Sequence, residues 1–386
     1  PVLSFFASPE GRVVKKGSAF EYEYALADHQ GNTRLVFSSA APTPITSTAN
    51  MESAGNSAFQ NYVNRTNFEL FDHTDPTDDG IDYSQVLTGG NTSQIGVAKS
   101  IQVYPGDKVK IEAHAKYYNP QSTSSNLSGF ALALTSAFGV SSTSTGEALK
   151  AFNSLNNYGG IIAGSGGEGG GTYPKLFVNI LLFDKNFKLV DAAWQQIDGG
   201  EQVGVSPKAA HDYMMQEVDV KEAGYAYIYV SNENATLVEF YVDDVVITHT
   251  PSNIIQYNEY YPFGMQTANS WTRENTTGNS FLYNEGSELN STSGYYDLPY
   301  RTYDPVLGRM NGVDPLTSKY ASLTPYNYSF NDPVYWNDPS GATPEYSQHM
   351  YDHWKLVDGI INVDQGGGGS GGLAHIPQYG FGGFQN

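Results

Sequence analysis

Apolar and polar residues alternate along much of the chain, with the period of two that is expected of β-strands with one buried face. Near the N terminus, Phe20, Tyr22 and Tyr24 occupy every second position, and the alternation resumes at Leu35 and Phe37 after the segment DHQGN. A Gly-Asn pair in that segment is typical of the positive-φ positions of a tight hairpin. The pattern therefore predicts two strands joined by this turn.

The alternation recurs between residues 50 and 250, after the linker SSAAPTPITSTAN. At least six strands are predicted in SIQVYPGDKVKIEAHAKYY, PKLFVNILLFDKNFKLVDAAWQQI, YAYIYVSN and LVEFYVDDVVITHT, with PGD and DKN as turns. Strands at this spacing, with turn signals between them, favour a β-sandwich. FALALTSAFG and GEALKAFNSLNN are the best helix candidates, and AGSGGEGGGTYP is predicted to be a loop.

From residue 251 the chain consists of short tyrosine-rich pieces that are separated by Gly and Asp-Pro. Asp-Pro pairs end strands, because proline removes a ladder donor and restricts the preceding residue. The tail has a predicted short helix, PEYSQHMYDHWKLVDGII, followed by the linker GGGGSGG. We predict a mainly β protein with four parts, at residues 1–42, 43–250, 251–342 and 343–386.

Composition narrows the function classes. The net charge of −20 disfavours nucleic acid, which is bound through clustered Lys and Arg, and it equally disfavours an anionic membrane surface. No apolar run approaches the ~18–20 residues of a transmembrane helix. The absence of cysteine excludes disulfides and thiolate chemistry. The start at Pro1, without Met or a signal peptide, suggests a fragment, a processed product or a cloning boundary.

Charge is concentrated in one segment of this charge-poor chain, YRTYDPVLGRMNGVDP at 300–315. Arg301, Asp304, Arg309 and Asp314 lie there among aromatic residues and glycines, without helical or strand periodicity. Such residues serve either as buried ion pairs and Asx-turns of an irregular β structure or as a reaction centre. For Asp304 and Arg309 we favour the structural role.

The segment YYDLPYRTYDPVLGRMNGVDPLTSKYASLTPYNYSFNDPVYWNDPSG resembles the Rhs repeat-associated core of Rhs/YD-repeat proteins. The family pattern is R-x-Y-D-P, then G-R, a D-P, a Tyr/Asn-rich piece and a closing D-P-x-G-L. YALADHQGNTR, at 24–34, is similar to a YD-type repeat of the Bacteroidota branch, and YYPFGM resembles the start of the core. The matching positions are Arg301, Tyr303, Asp304, Pro305, Gly308, Arg309, Asp314, Pro315, Asp338, Pro339 and Gly341.

The resemblance implies an architecture and a biological role. YD repeats wind into a β-sheet shell, the core spirals inward as a plug, and a C-terminal effector is enclosed and delivered. On this basis the chain is the C-terminal part of a secreted or cell-surface protein. Residues 43–250 would be a β-sandwich insertion. Its partners would be the rest of the shell, the effector, and secretion machinery or surface glycans.

In members of this family the core releases the effector with an aspartyl-protease-like site. Carried over to this chain, the resemblance implies Arg301, Asp314 and Asp338 as catalytic residues, with cleavage between Ala342 and Thr343. Two carboxylates in one buried site share a proton, so that one activates water and the other polarises the scissile carbonyl. The chain departs from the pattern at residue 342, where Ala stands in place of Leu.

A second acidic segment, FDHTDPTDDGID, offers dense oxygen ligands in a turn, which suits Ca²⁺. The strand FYVDDVVI adds two aspartates in a pattern similar to carbohydrate-binding jelly rolls, where such an aspartate often ligates structural calcium. The alternative is a solvated acidic turn and a strand-end charge pair. The candidate ligands are Asp72, Asp75, Asp78, Asp79, Asp82, Asp243 and Asp244.

Other motifs are weaker. His349 and His353 are spaced i, i+4 on the predicted tail helix, but without a third ligand an exposed helix face is favoured over zinc. GGEGGGTYP lacks the Lys and helix of a phosphate-binding loop. Two alternative functions stay open, namely surface adhesion or glycan binding by the sandwich with a purely structural core, and a role as passenger or subunit of a secretion apparatus.

Overall fold

The structure is a computed structural model of the chain. It describes residues 5–8, 11–67, 73, 83–89, 93–117, 174–198, 211–234, 236–274 and 276–345. The described residues form two compact units. Unit 1 comprises residues 1–24, 37–255 and 271–276, and unit 2 comprises residues 25–36, 256–270 and 277–386.

The described residues are mainly β, as predicted, and they contain no α-helix. One 3₁₀ turn spans Ser329–Asn331. The strands are β1 (Phe5–Ser8), β2 (Gly11–Lys16), β3 (Ala19–Ala27), β4 (Thr33–Ser38), β5 (Ile45–Ala49), β6 (Arg65–Asn67), β7 (Tyr83–Thr88), β8 (Ile95–Val103), β9 (Lys108–Tyr117), β10 (Leu176–Asp184), β11 (Leu189–Gln196), β12 (Asp212–Asp219), β13 (Gly224–Asn232), β14 (Glu239–Thr250), β15 (Ile254–Tyr257), β16 (Trp271–Thr272), β17 (Phe281–Tyr283), β18 (Ser287–Leu289), β19 (Tyr296–Asp297), β20 (Thr302–Asp304) and β21 (Arg309–Met310).

Two antiparallel sheets of unit 1 share one core. The first has the strand order β11-β10-β13-β8, and the second has the order β12-β9-β14-β7-β6 with β5 also paired to β14. Alternate residues of both sheets enter the same cluster, such as Ile111 of β9, Ile180 of β10, Ile228 of β13 and Phe240 of β14. The two sheets therefore pack against each other around this shared core.

Strand β10 departs from simple alternation, because eight of its nine residues, from Leu176 to Phe183, are buried. Its even-numbered residues from Leu176 to Leu182 enter the shared core, whereas Leu181 and Phe183 join a second cluster with Tyr227 and Tyr229. A strand that is covered on both faces is selected for apolar residues at every position. This explains why seven of the eight residues of LFVNILLF are apolar, and the one polar residue, Asn179, donates to the Ser231 hydroxyl at 2.9 Å.

The predicted Pro-Gly-Asp turn connects β8 with β9, which lie in different sheets of unit 1. Gly106 has a φ of 85°, and the fully buried carboxylate of Asp107 accepts hydrogen bonds from His249 Nε2 and Arg273 Nη2, both at 2.8 Å. Burial raises the pKa of Asp107, but these basic partners and the Ser252 amide outweigh it and lower the pKa to about 2. Asp107 therefore ties the sheet connection to the ends of two distant segments.

The N-terminal strands correct one expectation about the aromatic face. β1, β2 and β3 pair antiparallel within unit 1, but Phe20 and Tyr22 of the predicted apolar face are 57% and 54% exposed. The opposite side of β3 contains Glu23, which is buried and pairs with Arg12 at 2.7 Å. The alternation thus separates the aromatic face of β3 from its polar face correctly. The polar face is the buried one at Glu23, where the charge is paired with Arg12.

Unit 2 contains a five-stranded sheet in the order β17-β18-β19-β20-β21, built from strands of two or three residues. Its core is rich in tyrosine, with Tyr283, Tyr296, Tyr303 and Tyr328 all at most 2% exposed. A buried phenol needs a hydrogen-bond acceptor.

The loop at 262–264 supplies those acceptors. The hydroxyls of Tyr283, Tyr303 and Tyr296 donate to the carbonyls of Pro262, Phe263 and Gly264 at 2.8, 2.8 and 3.0 Å, respectively. This is the structural role of YYPFGM. Successive loop carbonyls satisfy hydroxyls from three strands, so the tyrosine-rich core carries no orphaned phenol at these positions.

Three predicted elements, at 130–139, 146–157 and 344–361, fall outside the described residues except for 344 and 345. The four-part division of the chain stays a prediction. Within the described ranges, no helix is long and apolar enough to cross a membrane.

Candidate functional site

The residues predicted to be catalytic meet in unit 2. Arg301 lies at the corner between β19 and β20, Asp314 follows β21, and Asp338 lies in the segment that leads to Ala342. Arg301 Nη2 is 3.3 Å from Asp314 Oδ2 and 3.1 Å from Asp338 Oδ2. All three side chains are buried. The structure therefore brings the predicted triad together, with the guanidinium between the two carboxylates.

Asp338 contacts both sides of the predicted scissile bond. Its Oδ1 accepts the backbone N–H of Ala342 at 2.9 Å and that of Thr343 at 3.1 Å. The Thr343 nitrogen is the atom that would leave if the Ala342–Thr343 bond broke. This carboxyl is thus already within hydrogen-bond distance of the nitrogen that would leave.

The two carboxylates occupy different environments. Burial raises the pKa of Asp338, and the Arg301 charge with the surrounding N–H donors offsets this only in part. Asp314, by contrast, lines a small cavity together with Thr317, Pro325 and Pro344. Asp338 is therefore the more deeply buried carboxyl and has a raised pKa, whereas Asp314 borders space beside the chain that follows the scissile bond.

Arg301 holds the segment 338–343 in place. Arg301 Nε donates to the Gly341 carbonyl, and Arg301 Nη1 donates to the Pro325 carbonyl at 3.3 Å. Gly341 has a φ of 77°, and a Cβ there would lie 3.2 Å from the Arg301 nitrogen and from Leu298 Cβ. The glycine is therefore required by both its backbone conformation and its close approach to Arg301.

Asn284 is a positioning residue that the sequence did not reveal. Its side-chain amide donates to the Asp338 carbonyl and accepts from the Asp338 N–H, both at 2.8 Å. The Tyr328 hydroxyl donates to the same Asn284 oxygen at 3.2 Å. Asn284 has a φ of 55° in the turn between β17 and β18. The only sequence signal was a turn-forming N-E-G, which does not indicate what its side chain contacts.

Asp304 and Arg309 lie apart from these contacts. Asp304 Oδ1 accepts the N–H groups of Val306 and Leu307 at 2.9 and 3.0 Å, which is the predicted Asx-turn. Arg309 is exposed, and its guanidinium lies 4.8 Å from the ring centroid of Tyr326. The expectation of a buried ion pair at Arg309 is therefore wrong, because its guanidinium stacks on the half-buried ring of Tyr326 and keeps its charge in water.

The DHQGN turn contains a second hydrogen-bonded cluster of side chains in unit 2. Asp28 Oδ1 accepts the N–H groups of Gln30 and Asn32, both at 3.0 Å, and Asp28 Oδ2 accepts Arg34 Nε at 3.0 Å. Gly31 has a φ of 73°, whereas Asn32 lies outside the positive-φ region. The Asp, Gly, Asn and Arg of this motif are thus explained by one turn, in which the aspartate binds both the loop and the next strand.

Only two of the predicted calcium ligands belong to the residues that the structure describes. Asp72, Asp75, Asp78, Asp79 and Asp82 lie outside the described residues. The tail pair His349 and His353 does too.

The two strand aspartates are described. Asp243 is fully buried, and its Oδ2 accepts the His73 N–H at 2.9 Å. Asp244 Oδ2 lies 2.9 Å from His73 Nδ1. The described groups around Asp244 thus include imidazole nitrogens, which are not ligands that calcium prefers.

The comparisons with known proteins define no class for the chain. No protein-family model matches it. A 96-residue stretch, 25% of the chain, is 33% identical to salivary gland surface protein 1 of Aedes aegypti, and the match covers 3% of that protein.

Two solved structures show partial likeness. The CBM22-1 xylan-binding domain of Paenibacillus barcinonensis Xyn10C is 12% identical, with coverage of 55% of this chain and 99% of that domain and a TM-score of 0.27. TcdB2-TccC3-TEV is 16% identical, with coverage of 87% and 18% and a TM-score of 0.20. Scores at this level do not assign a fold.

Proposed function

We propose that unit 2 is the self-cleaving core of an Rhs/YD-repeat protein and that it cuts its own chain between Ala342 and Thr343. The observation that carries the proposal is the position of Asp338. This buried carboxyl touches Arg301 and accepts the N–H of Thr343, the nitrogen of the bond to be broken. The tail 343–386, or an effector in its place, would be the released product.

The environments of the two carboxyls support a division of roles. Asp314 borders the cavity and would take a proton from an attacking water, whose oxygen bonds to the Ala342 carbonyl carbon. Asp338, whose pKa is raised by burial, would in its protonated form give a proton to the Thr343 nitrogen as the C–N bond breaks. One water is consumed, and the products are a carboxylate at Ala342 and an amine at Thr343.

Arg301 would act on both carboxyls and on the chain. Its Nη2 group bridges the two aspartates, and its Nε group holds the Gly341 carbonyl next to the scissile residue. A fixed guanidinium places the substrate segment and stabilises negative charge that develops in a water-poor site. This combination is what an intramolecular reaction needs, because the substrate is already bound and oriented.

The wider architecture in this proposal is a shell segment with a plug. The exposed aromatic face of β1 and β3, with Phe6 and Phe20 at a centroid distance of 6.4 Å, is the kind of surface that further β-repeats would cover. The two-layer region of unit 1 would be the jelly-roll-like insertion, and unit 2 would spiral inward. The protein would act on the extracellular side, as a secreted or surface-displayed carrier.

The test follows the purified chain by intact mass spectrometry and denaturing electrophoresis. We expect a product that begins at Thr343, and we expect Asp338→Asn and Asp314→Asn to abolish its formation. Asp297→Asn, an exposed aspartate of the same unit, is the matched control and should cleave at the wild-type rate. Near-UV circular dichroism of each variant checks that the tyrosine-rich core is intact.

The pH dependence tests the assigned roles separately. Because the pKa of Asp338 is raised, we expect the cleavage rate to fall as the pH rises through that value and the acid loses its proton. A single intact chain at every pH would refute the cleavage and favour a structural plug. Cleavage by a correctly folded Asp338→Asn variant at the wild-type rate would refute the role of this carboxyl.

A further inference from the structure

We propose that His73, His114 and Asp244 of unit 1 form a binding site for a transition-metal dication, with Zn²⁺ as the best fit. One donor atom from each of these side chains lies within 4.8 Å of the other two. The site is separate from the Arg301 cluster and does not depend on self-cleavage. It lies on the face of β9 and β14 that points away from the shared core.

Sheet register brings two of the ligands together. His114 of β9 is paired with Asp243 of β14, and the pairing shifts between Asp243 and Val246. That irregularity is a β-bulge, which inserts an extra residue and re-aims the side chains around it. Val242 and Val245 both enter the core, so the bulge keeps Asp244 off the core face. Asp244 adopts a φ of 46°.

The third ligand arrives from another segment. The His73 N–H donates to Asp243 Oδ2 at 2.9 Å, and His73 Nδ1 lies 2.9 Å from Asp244 Oδ2. The two aspartates therefore contact different parts of His73. The buried Asp243 binds the His73 backbone, and Asp244 engages its ring. Carboxylate–imidazole contacts of this kind orient histidines at metal sites.

His114 presents a donor atom that is not otherwise used. Its Nδ1 is buried and makes no hydrogen bond within the described part of the chain. Its ring stacks on His73 at a centroid distance of 3.5 Å and an interplanar angle of 12°. Because imidazole binds a metal in its ring plane, the rings must rotate apart to share one ion. Tetrahedral zinc would hold its ligands about 3.3 Å apart.

The donor set selects the class of metal. Two imidazoles with a carboxylate suit Zn²⁺ and its neighbours, whereas Ca²⁺ takes oxygen ligands. His211 adds a further imidazole, since its ring lies 5.0 Å from that of His73 and at 85° to it. His73 belongs to the acidic segment FDHTDPTDDGID, so this segment contributes a histidine to a site of a different kind from a calcium site.

The experiment titrates the metal-stripped full chain with zinc chloride by calorimetry and with cobalt chloride by visible absorption. We expect one tight equivalent and the intense bands of low-coordinate Co²⁺. His114→Ala and Asp244→Asn should each weaken zinc binding about tenfold or more. The control is the double variant His349→Ala/His353→Ala, which removes the rival histidine pair and should bind zinc as the wild type does.

Two results would overturn the proposal. One is a wild-type chain that takes up no zinc, or that binds calcium chloride as tightly as zinc chloride. The other is zinc binding that survives in His114→Ala but disappears in the double tail variant. Asp244→Asn retains the size of the side chain, so a titration on this variant remains informative if His114→Ala fails to fold. Circular dichroism of each metal-free variant shows whether that variant folds.

Discussion

Glu233 offers a direct test of how burial controls a charge in unit 1. The side chain is 1% exposed and follows β13 directly. The Ser231 hydroxyl donates to its Oε1 at 3.1 Å, while Oε2 has no hydrogen-bond partner in the part of the chain that the structure describes. Burial raises the pKa of Glu233 to about 8, and the hydrogen bond and the Lys175 charge offset this only in part. The folded protein therefore holds a neutral acid near pH 7.

The free-energy cost follows from the two pKa values. In the unfolded chain Glu233 loses its proton near its ordinary pKa of 4.5, whereas the folded chain keeps it to about 8. Between these values the unfolded state binds fewer protons, so stability falls as the pH rises. At about 1.4 kcal/mol per pH unit, the cost is about 3 kcal/mol at pH 7 and about 5 kcal/mol above pH 8. Below pH 4.5 it is absent.

The substitution Glu233→Gln imitates the neutral acid at every pH. We expect it to raise the free energy of unfolding by about 3 kcal/mol at pH 7 and to leave it nearly unchanged at pH 4. Urea denaturation followed by far-UV circular dichroism at both pH values measures the difference. Glu222→Gln, at an exposed position of unit 1, is the control and should change little at either pH. An equal effect of Glu233→Gln at pH 4 and pH 7, or none at pH 7, would refute the reasoning.

Two further predictions concern buried contacts. Asp107→Asn should lower the free energy of unfolding by about 3 kcal/mol at pH 7, because it leaves the largely buried Arg273 without its counter-charge. Since basic partners lower the pKa of Asp107 to about 2 despite its burial, the stabilising charge is lost as the pH falls from about 4 to about 2. Wild type and variant should therefore converge there in urea titrations. Gly264→Ala should cost about 3 kcal/mol, because φ is 86° and its Cβ would lie 2.4 Å from the Tyr283 ring. Gly286→Ala, at a φ of 87° with open space around it, should cost about 1 kcal/mol in the same thermal melts.

The strands of unit 1 were largely predictable from the sequence. The predicted hairpin turn DKN connects β10 and β11, and the predicted pairs of strands on either side of PGD and DKN are present. Each of these predictions rests on local features, since alternation reports the pleat and Gly, Pro, Asp and Asn report turns. The partners of a strand were not predictable in this way. β8 and β9 follow each other closely, yet they pair in different sheets.

Only part of the candidate cleavage site could be predicted from the sequence. The motif resemblance selected Arg301, Asp314 and Asp338, and the structure places all three in contact. The resemblance did not predict that Asn284 would hold both backbone groups of Asp338. Pattern-based reasoning also misjudged the exposure of Phe20 and Tyr22. An aromatic face predicts burial only when another layer lies against it.

The proposed metal site could not be predicted from local sequence patterns. His73, His114 and Asp244 are far apart in the chain, and none of them belongs to a spacing that indicates a shared ligand. They converge because strand pairing sets His114 opposite Asp243 and a bulge turns Asp244 to the same face. The order of residues specified the periodicity, the turns and the tyrosine-rich composition of the cores. Register, sheet partners and burial depend on long-range contacts, and these contacts determine which polar side chains meet.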